Sequence, residues 1–308
     1  MNRVSFHYLQ LNHLRLFYRE AGAVDAPVVL LFHGFPTSSH MFRNLIPQLS
    51  TSYRVIAPDL PGFGFSDMPE RVQFFYTFAH LAEVMEEFVT RMNLERFAIY
   101  VFDYGAPVGF RLALRVPERI SAIISQNGNA YTEGLSPAWS PVQTYWENPT
   151  TSNREVLKSL QTLETTRWQY ENGVTDPERW IAPEAIALDQ AMLDRPESVE
   201  MQLDLIGDYK SNVALYPAFQ EFFRTYRPPT LAVWGKNDPF FLPAGAEAYR
   251  RDNPGARVVF FDTGHFALET HAMEIGQEIL TFLGGALSAT SKQPPATNKA
   301  RHYSTSEM

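Results

Sequence analysis

The sequence predicts an α/β fold in which a mostly parallel β-sheet is flanked by helices and carries an inserted helical lid. Three observations predict it. Short apolar runs alternate with helix-patterned stretches over residues 1–130, the rhythm of βαβ units around a parallel sheet. Between residues 131 and 226 the alternation stops and Trp, Tyr, Gln and Glu take over, with no convincing buried strand. Across residues 227–286 it returns. The expected organisation is one core made of 1–130 and 227–286, a helical lid (cap) made of 131–226, and a tail, 287–308, too rich in Ser, Thr, Pro, Lys and Asn to order itself.

Each element has its own reason. Residues 4–8 and 14–20 alternate apolar with polar side chains around Leu11-Asn12-His13, which reads as an antiparallel hairpin at the sheet edge. The runs 28–32, 54–58, 97–101 and 120–125 are short and mostly apolar, as strands buried on both faces require. Between them, 41–49, 78–92 and 105–115 carry apolar residues at three- and four-residue spacing, the pattern of a helix with one buried face. Within the lid, 198–205 also reads as helix. After Pro228-Pro229, the runs 230–234 and 257–261 and a helix near 273–282 complete the core.

Composition narrows the function. Of 308 residues, 45% are hydrophobic and 19% charged, ordinary globular values, and 23 Phe and 14 Tyr can line an apolar pocket. A formal net charge of -8 sets aside nucleic acid and anionic membrane as main partners, since both call for clustered Lys and Arg. The expected partners are a small, largely apolar organic substrate and water. The absence of Cys removes any thiolate nucleophile, disulfide or Cys-based metal site and fits a reducing compartment. No stretch approaches the roughly 18 apolar residues that span a bilayer. Met1-Asn2-Arg3-Val4-Ser5 leads into alternating residues, without the apolar run of a signal peptide, so a cytoplasmic location is expected.

The chemistry-bearing residues each follow the C-terminal end of an expected strand, where open parallel sheets place their ligands. Val101-Phe102-Asp103-Tyr104-Gly105-Ala106 joins strand to helix, and Gly105 and Ala106 are small enough for a tight turn that exposes its apex. No G-x-S-x-G occurs in the chain, and the apex is Asp103. A carboxylate can displace a leaving group at saturated carbon, giving an ester that a second step must hydrolyse. Asp103 is also suited to capping the helix that follows it. Ester hydrolysis calls for a base and a group that orients it. His265 follows the last strand in Thr263-Gly264-His265-Phe266, and Asp238 follows the preceding one in Trp234-Gly235-Lys236-Asn237-Asp238-Pro239. Asp238 can hold the ring nitrogen of His265 that faces away from water, or form an Asx turn before Pro239. The order nucleophile, acid, histidine along three strand ends is the stronger signal. In Phe32-His33-Gly34-Phe35-Pro36, Gly34 allows a turn that aims the Phe35 N–H into the same mouth, and Tyr104 supplies a second N–H. Such an oxyanion hole contributes roughly 3 kcal/mol per donor. His33 reads as structural, and the Asp59–Asp67 stretch, with Gly62 and Gly64, as a tight turn.

Over residues 14–284 the chain resembles the epoxide hydrolase and haloalkane dehalogenase branch of the α/β-hydrolase superfamily. His33-Gly34-Phe35-Pro36 resembles that branch's oxyanion motif, Asp103 matches its nucleophile, Asp238 its acid and His265 its base. The resemblance implies an α/β-hydrolase fold and a covalent aspartyl ester, formed with no cofactor and no metal. Val101 departs from it, where a smaller residue is common, as does Tyr104, where Trp is frequent.

An alkoxide leaving an opened epoxide needs a proton donor, which epoxide hydrolases usually supply as lid tyrosines, whereas a halide needs only N–H donors. Haloalkane dehalogenases typically place Trp after the nucleophile and Asn or Trp after the early His-Gly; Tyr104 and Phe35 offer no side-chain N–H. Asp208-Tyr209-Lys210-Ser211-Asn212 resembles the region where epoxide hydrolases carry one catalytic tyrosine. Tyr209 is therefore the expected proton donor, with Tyr145 or Tyr170 as a second donor or a substrate contact. Fluoroacetate dehalogenases are similar in the His-Gly-Phe-Pro stretch but usually follow the nucleophile with Arg, where this chain has neutral Tyr104. The expected reaction is the opening of an epoxide to a diol. The alternatives are hydrolytic dehalogenation by the same residues and a noncatalytic binding protein that keeps the fold and pocket. A simple esterase fits less well, because carboxylate attack on an ester gives an anhydride.

Overall fold

In the computed structural model, which describes residues 3–290, the alternation becomes one eight-stranded sheet. Ser5–Leu11 (β1) and Leu14–Ala21 (β2) pair antiparallel around Asn12 and His13. Then come Val28–Phe32 (β3), Arg54–Pro58 (β4), Phe97–Phe102 (β5), Ile120–Gln126 (β6), Thr230–Gly235 (β7) and Arg257–Phe261 (β8), in the spatial order β1-β2-β4-β3-β5-β6-β7-β8. β2 meets β4 antiparallel, and the remaining pairings are parallel. The two middle strands, β3 and β5, are apolar at every position because both faces are covered: Leu30 and Phe32 enter one core while Val29 and Leu31 enter the other.

Ile46–Leu49 (α1) covers the second of these faces, and Phe78–Arg91 (α2) and Gly105–Arg115 (α3) cover the first. The residues between β6 and β7 form helices: Ser140–Glu147 (α4), Thr151–Val156 (α5), Leu163–Glu171 (α6), Pro177–Trp180 (α7), Pro183–Leu193 (α8) and Ser198–Tyr226 (α9). Pro243–Asp252 (α10) links β7 to β8, and Ala267–Thr290 (α11) returns to the second face. Among the described residues no helix is long and apolar enough to cross a membrane.

Three elements differ from expectation for identifiable reasons. The helix expected over 41–49 is a 3₁₀ turn, Ser39–Phe42, followed by α1, because Pro47 has no N–H to continue a ladder and its ring crowds the preceding turn. The helix expected over 198–205 extends to Tyr226, passing through Pro217. Its buried residues spread around the helix, from Met201 to Phe223, so no single stripe marks its length. α11 begins six residues before 273 and absorbs a kink at His271 (φ -128°, ψ 28°). It also runs past the expected tail boundary at 287; the rest of that tail, 291–308, lies outside the described residues.

The register sets up the site. Phe32 pairs with Val101, Phe102 with Gln126, Gln126 with Val233, and Gly235 with Phe261. The strands β3, β5, β6, β7 and β8 therefore finish side by side, and the residues that follow them share one edge.

Candidate active site

Asp103 follows β5 directly and adopts φ 47°, a left-handed conformation that Asp tolerates better than most residues. The turn closes because of glycine at two places. A Cβ on Gly105 would collide with the carbonyl oxygens of Phe32 and His33, and one on Gly34 would collide with Cβ and Oδ1 of Asp103. Val101, the bulky departure from the usual pattern, is accommodated from the opposite side. Its Cγ1 occupies the space a Cβ on Gly109 of α3 would need, so the small residue that allows close strand–helix packing stands on the helix here.

The Phe35 N–H donates to Asp103 Oδ1 at 2.6 Å, and the Tyr104 N–H also bonds the carboxylate. His33 holds this loop in place and performs no chemistry: its Nδ1 faces the Gly34 carbonyl at 3.0 Å and its Nε2 accepts from the Leu60 N–H at 2.9 Å. Asp59 is likewise structural, accepting from the N–H groups of Ser39 and Phe65.

His265 is 1% exposed, and its Nδ1 lies 2.7 Å from Asp238 Oδ2. A carboxylate can only accept, so Nδ1 carries a proton, and in the neutral ring Nε2 presents its lone pair. Nε2 stands 3.8 Å from Asp103 Oδ2. Asp238 is fixed in turn by the Phe240 and Phe241 N–H groups on Oδ1 (2.7 and 3.2 Å) and by Asn127 Nδ2 on Oδ2 (2.7 Å). Asn127 was not singled out in the sequence, although it too follows a strand end; its Oδ1 accepts the Gly235 N–H at 3.0 Å, locking the β6 and β7 ends together.

Burial pushes the Asp103 carboxyl up to about 6, against the opposing pull of His265 and the Phe35 and Tyr104 N–H groups. For His265, burial opposes the charged form, but the Asp238 charge and hydrogen bond outweigh it and the imidazole rises above its usual value. At neutral pH Asp103 is thus an ionised carboxylate in a low-dielectric pocket, desolvated yet held.

Above Asp103 lies a cavity of about 60 Å³, room for roughly four to six waters. The core supplies Phe35, Asp103, Tyr104 and Phe240; the helical segment supplies apolar side chains, Trp139 among them, and three glutamines, Gln161, Gln169 and Gln202. The glutamines were missed because helical spacing in a segment with several buried faces does not say which side meets a cavity. The Trp139 indole N–H donates to the Phe240 carbonyl at 3.2 Å.

The tyrosines named from the sequence separate. Tyr209 sits directly behind the wall, its ring centroid 4.4 Å from that of Trp139 and 5.9 Å from that of Tyr104, with its hydroxyl bonded to Tyr216. Tyr170 is not brought to the site. Its hydroxyl donates to Asp189 Oδ2 at 2.5 Å and its ring stacks on Phe266 at 3.9 Å, in the opposite core. Tyr145 is not brought there either. It lines a separate outer hollow beside Tyr76 and Asp204, bonded to Arg154. The expectation of a second donor at 145 or 170 therefore gives way.

A family model described as alpha/beta hydrolase fold matches residues 27–272. An uncharacterized hydrolase of Saccharomyces cerevisiae, YNR064C, is 47% identical over 281 residues, covering 90% of this chain and 96% of that protein. A haloalkane dehalogenase of Mycolicibacterium paratuberculosis is 27% identical, over 90% of this chain and 91% of its own. Among solved structures, the epoxide hydrolase CorEH superposes with a TM-score of 0.74 at 21% identity, over 92% of this chain and 99% of that one.

Proposed function

The chain belongs to the α/β-hydrolase fold family, and from that premise we propose that it opens a small epoxide to a diol through a covalent ester on Asp103. The arrangement around one carboxylate carries the reading: Oδ1 accepts from the Phe35 N–H, the Tyr104 N–H also bonds the carboxylate, and Oδ2 stands 3.8 Å from His265 Nε2. Oδ2 attacks an epoxide carbon, the C–O bond breaks, and the departing oxygen takes a proton from Tyr209. The Asp103 charge acts on that phenol, which is hydrogen-bonded to Tyr216. His265 then removes a proton from water, the resulting hydroxide attacks Asp103 Cγ, and negative charge collects on Oδ1 between the two N–H groups. Collapse releases the diol as His265 returns its proton, and the second proton of the water, left on the regenerated Asp103 carboxyl, restores the phenol. The segment 131–226 acts as the lid that excludes bulk water.

Phenols on the flank of Asp103, and an indole N–H already committed to a carbonyl, favour an alkoxide leaving group over a halide. The dehalogenase reading rests on the relative of that name that spans 90% of the chain. One experiment separates them. His265→Gln removes the base, so the ester accumulates and intact mass reads it: an epoxide adds its whole mass, a haloalkane its mass less HX. Epoxide adducts are expected. Adducts from haloalkanes alone would establish dehalogenation, and no adduct from either, with the unaltered protein inactive on both, would leave a binding protein.

A further inference from the structure

The polar side chains on the cavity wall are Asp103, the Tyr104 phenol, the Trp139 indole and three amides that the helical segment contributes. Gln161, Gln169 and Gln202 are 7%, 3% and 3% exposed. Gln161 Nε2 donates to the Val199 carbonyl at 3.2 Å, which fixes the orientation of the amide and leaves Oε1 as its free atom. That Oε1, and Oε1 of Gln202, are buried with no hydrogen-bond partner. A buried acceptor left unmade costs about 1–3 kcal/mol, and a few polar groups on an otherwise apolar lining are how small-molecule sites fix orientation.

Building on the Asp103 reading, we propose that Gln161 and Gln202 are specificity-determining residues that accept hydrogen bonds from the substrate. The substrate class is then a compact epoxide bearing a hydroxyl or another neutral hydrogen-bond donor. An alkyl epoxide would fill the same space while leaving both amide oxygens unmet. An anionic or acceptor-only substituent would leave both carbonyl oxygens unmet, and a cavity of about 60 Å³ favours a short chain.

The test uses the full-length His265→Gln protein and rates of adduct formation at Asp103. Epoxides with terminal hydroxyls on one- to four-carbon chains are each compared with the twin in which methyl replaces hydroxyl. The same pairs are run as bromoalkanes, so the ratio can be read on whichever electrophile labels the protein. At least one hydroxyl compound should label about tenfold faster than its twin, the range of one net hydrogen bond. Adding Gln202→Met, whose parent side chain makes no hydrogen bond to a described residue, should bring that ratio toward one, and Gln161→Met should do the same. Equal labelling of twins throughout, or a ratio that survives both substitutions, overturns the proposal even where epoxides label. Labelling by bromides alone overturns the epoxide reading and leaves the hydroxyl ratio to decide the role of the glutamines. No labelling by any compound overturns both.

Discussion

Asp103 carries two costs that a purely structural residue would avoid. It holds a positive φ, about 1–2 kcal/mol for an ordinary residue and less for Asp, and it keeps a carboxylate where burial has raised its affinity for a proton to about 6. The folded chain binds that proton more tightly than the unfolded chain does, so this group favours folding as pH falls from about 6 toward 4 and opposes it above. Asp103→Asn should therefore abolish turnover yet raise the melting temperature at neutral and higher pH, by up to about 3 kcal/mol of stability. The gain should shrink as pH falls through about 6. Thermal melts across pH check this, and a variant less stable than the parent at pH near 8 would contradict it. Asp103, Asp238 and His265 were legible in the sequence because each follows a short apolar run, and strand ends of a parallel sheet converge by topology. Asn127 follows such a run as well, but an amide announces no chemistry of its own.

At the scale of elements, Tyr209 packs against Tyr104, next to Asp103, while Tyr170 lies in the opposite core. Tyr170 joins α6 to α8 through Asp189, and its ring braces Phe266, the neighbour of His265. Tyr170→Phe removes a donor from a buried carboxylate and should cost about 1–3 kcal/mol of stability while leaving turnover within about twofold. Tyr209→Phe should lower epoxide turnover at least about tenfold, the low end of a general-acid contribution. Melts and steady-state rates on the two variants give the answer, and the reverse pattern would return Tyr170 to the mechanism. Strands were read well because a strand buried on both faces is a short apolar run and little else. The helices between β6 and β7 were harder. α9 buries residues around its circumference and runs through Pro217, so neither a stripe nor a stop signal marked its ends, and the cavity faces of Gln161, Gln169 and Gln202 went unseen with them.

Across the whole molecule, the two N–H groups, the base and its acid come from the ends of β3, β5, β7 and β8, and Asn127 from the end of β6 ties them together. The arrangement is therefore a property of the sheet's order, β4-β3-β5-β6-β7-β8, which is why an alternation of runs along the sequence could point to the strand ends that share an edge. Most of the pocket's lining belongs to the helical segment, where packing among distant residues decides which side chains face the cavity. The central claim is that an oxygen of Asp103 enters the product. A single turnover, with enzyme in excess over epoxide in ¹⁸O-labelled water, tests it most directly. The diol should leave without label and the peptide containing Asp103 should gain it, whereas label in the diol from that first turnover would mean that water attacks the epoxide itself and that Asp103 is no nucleophile.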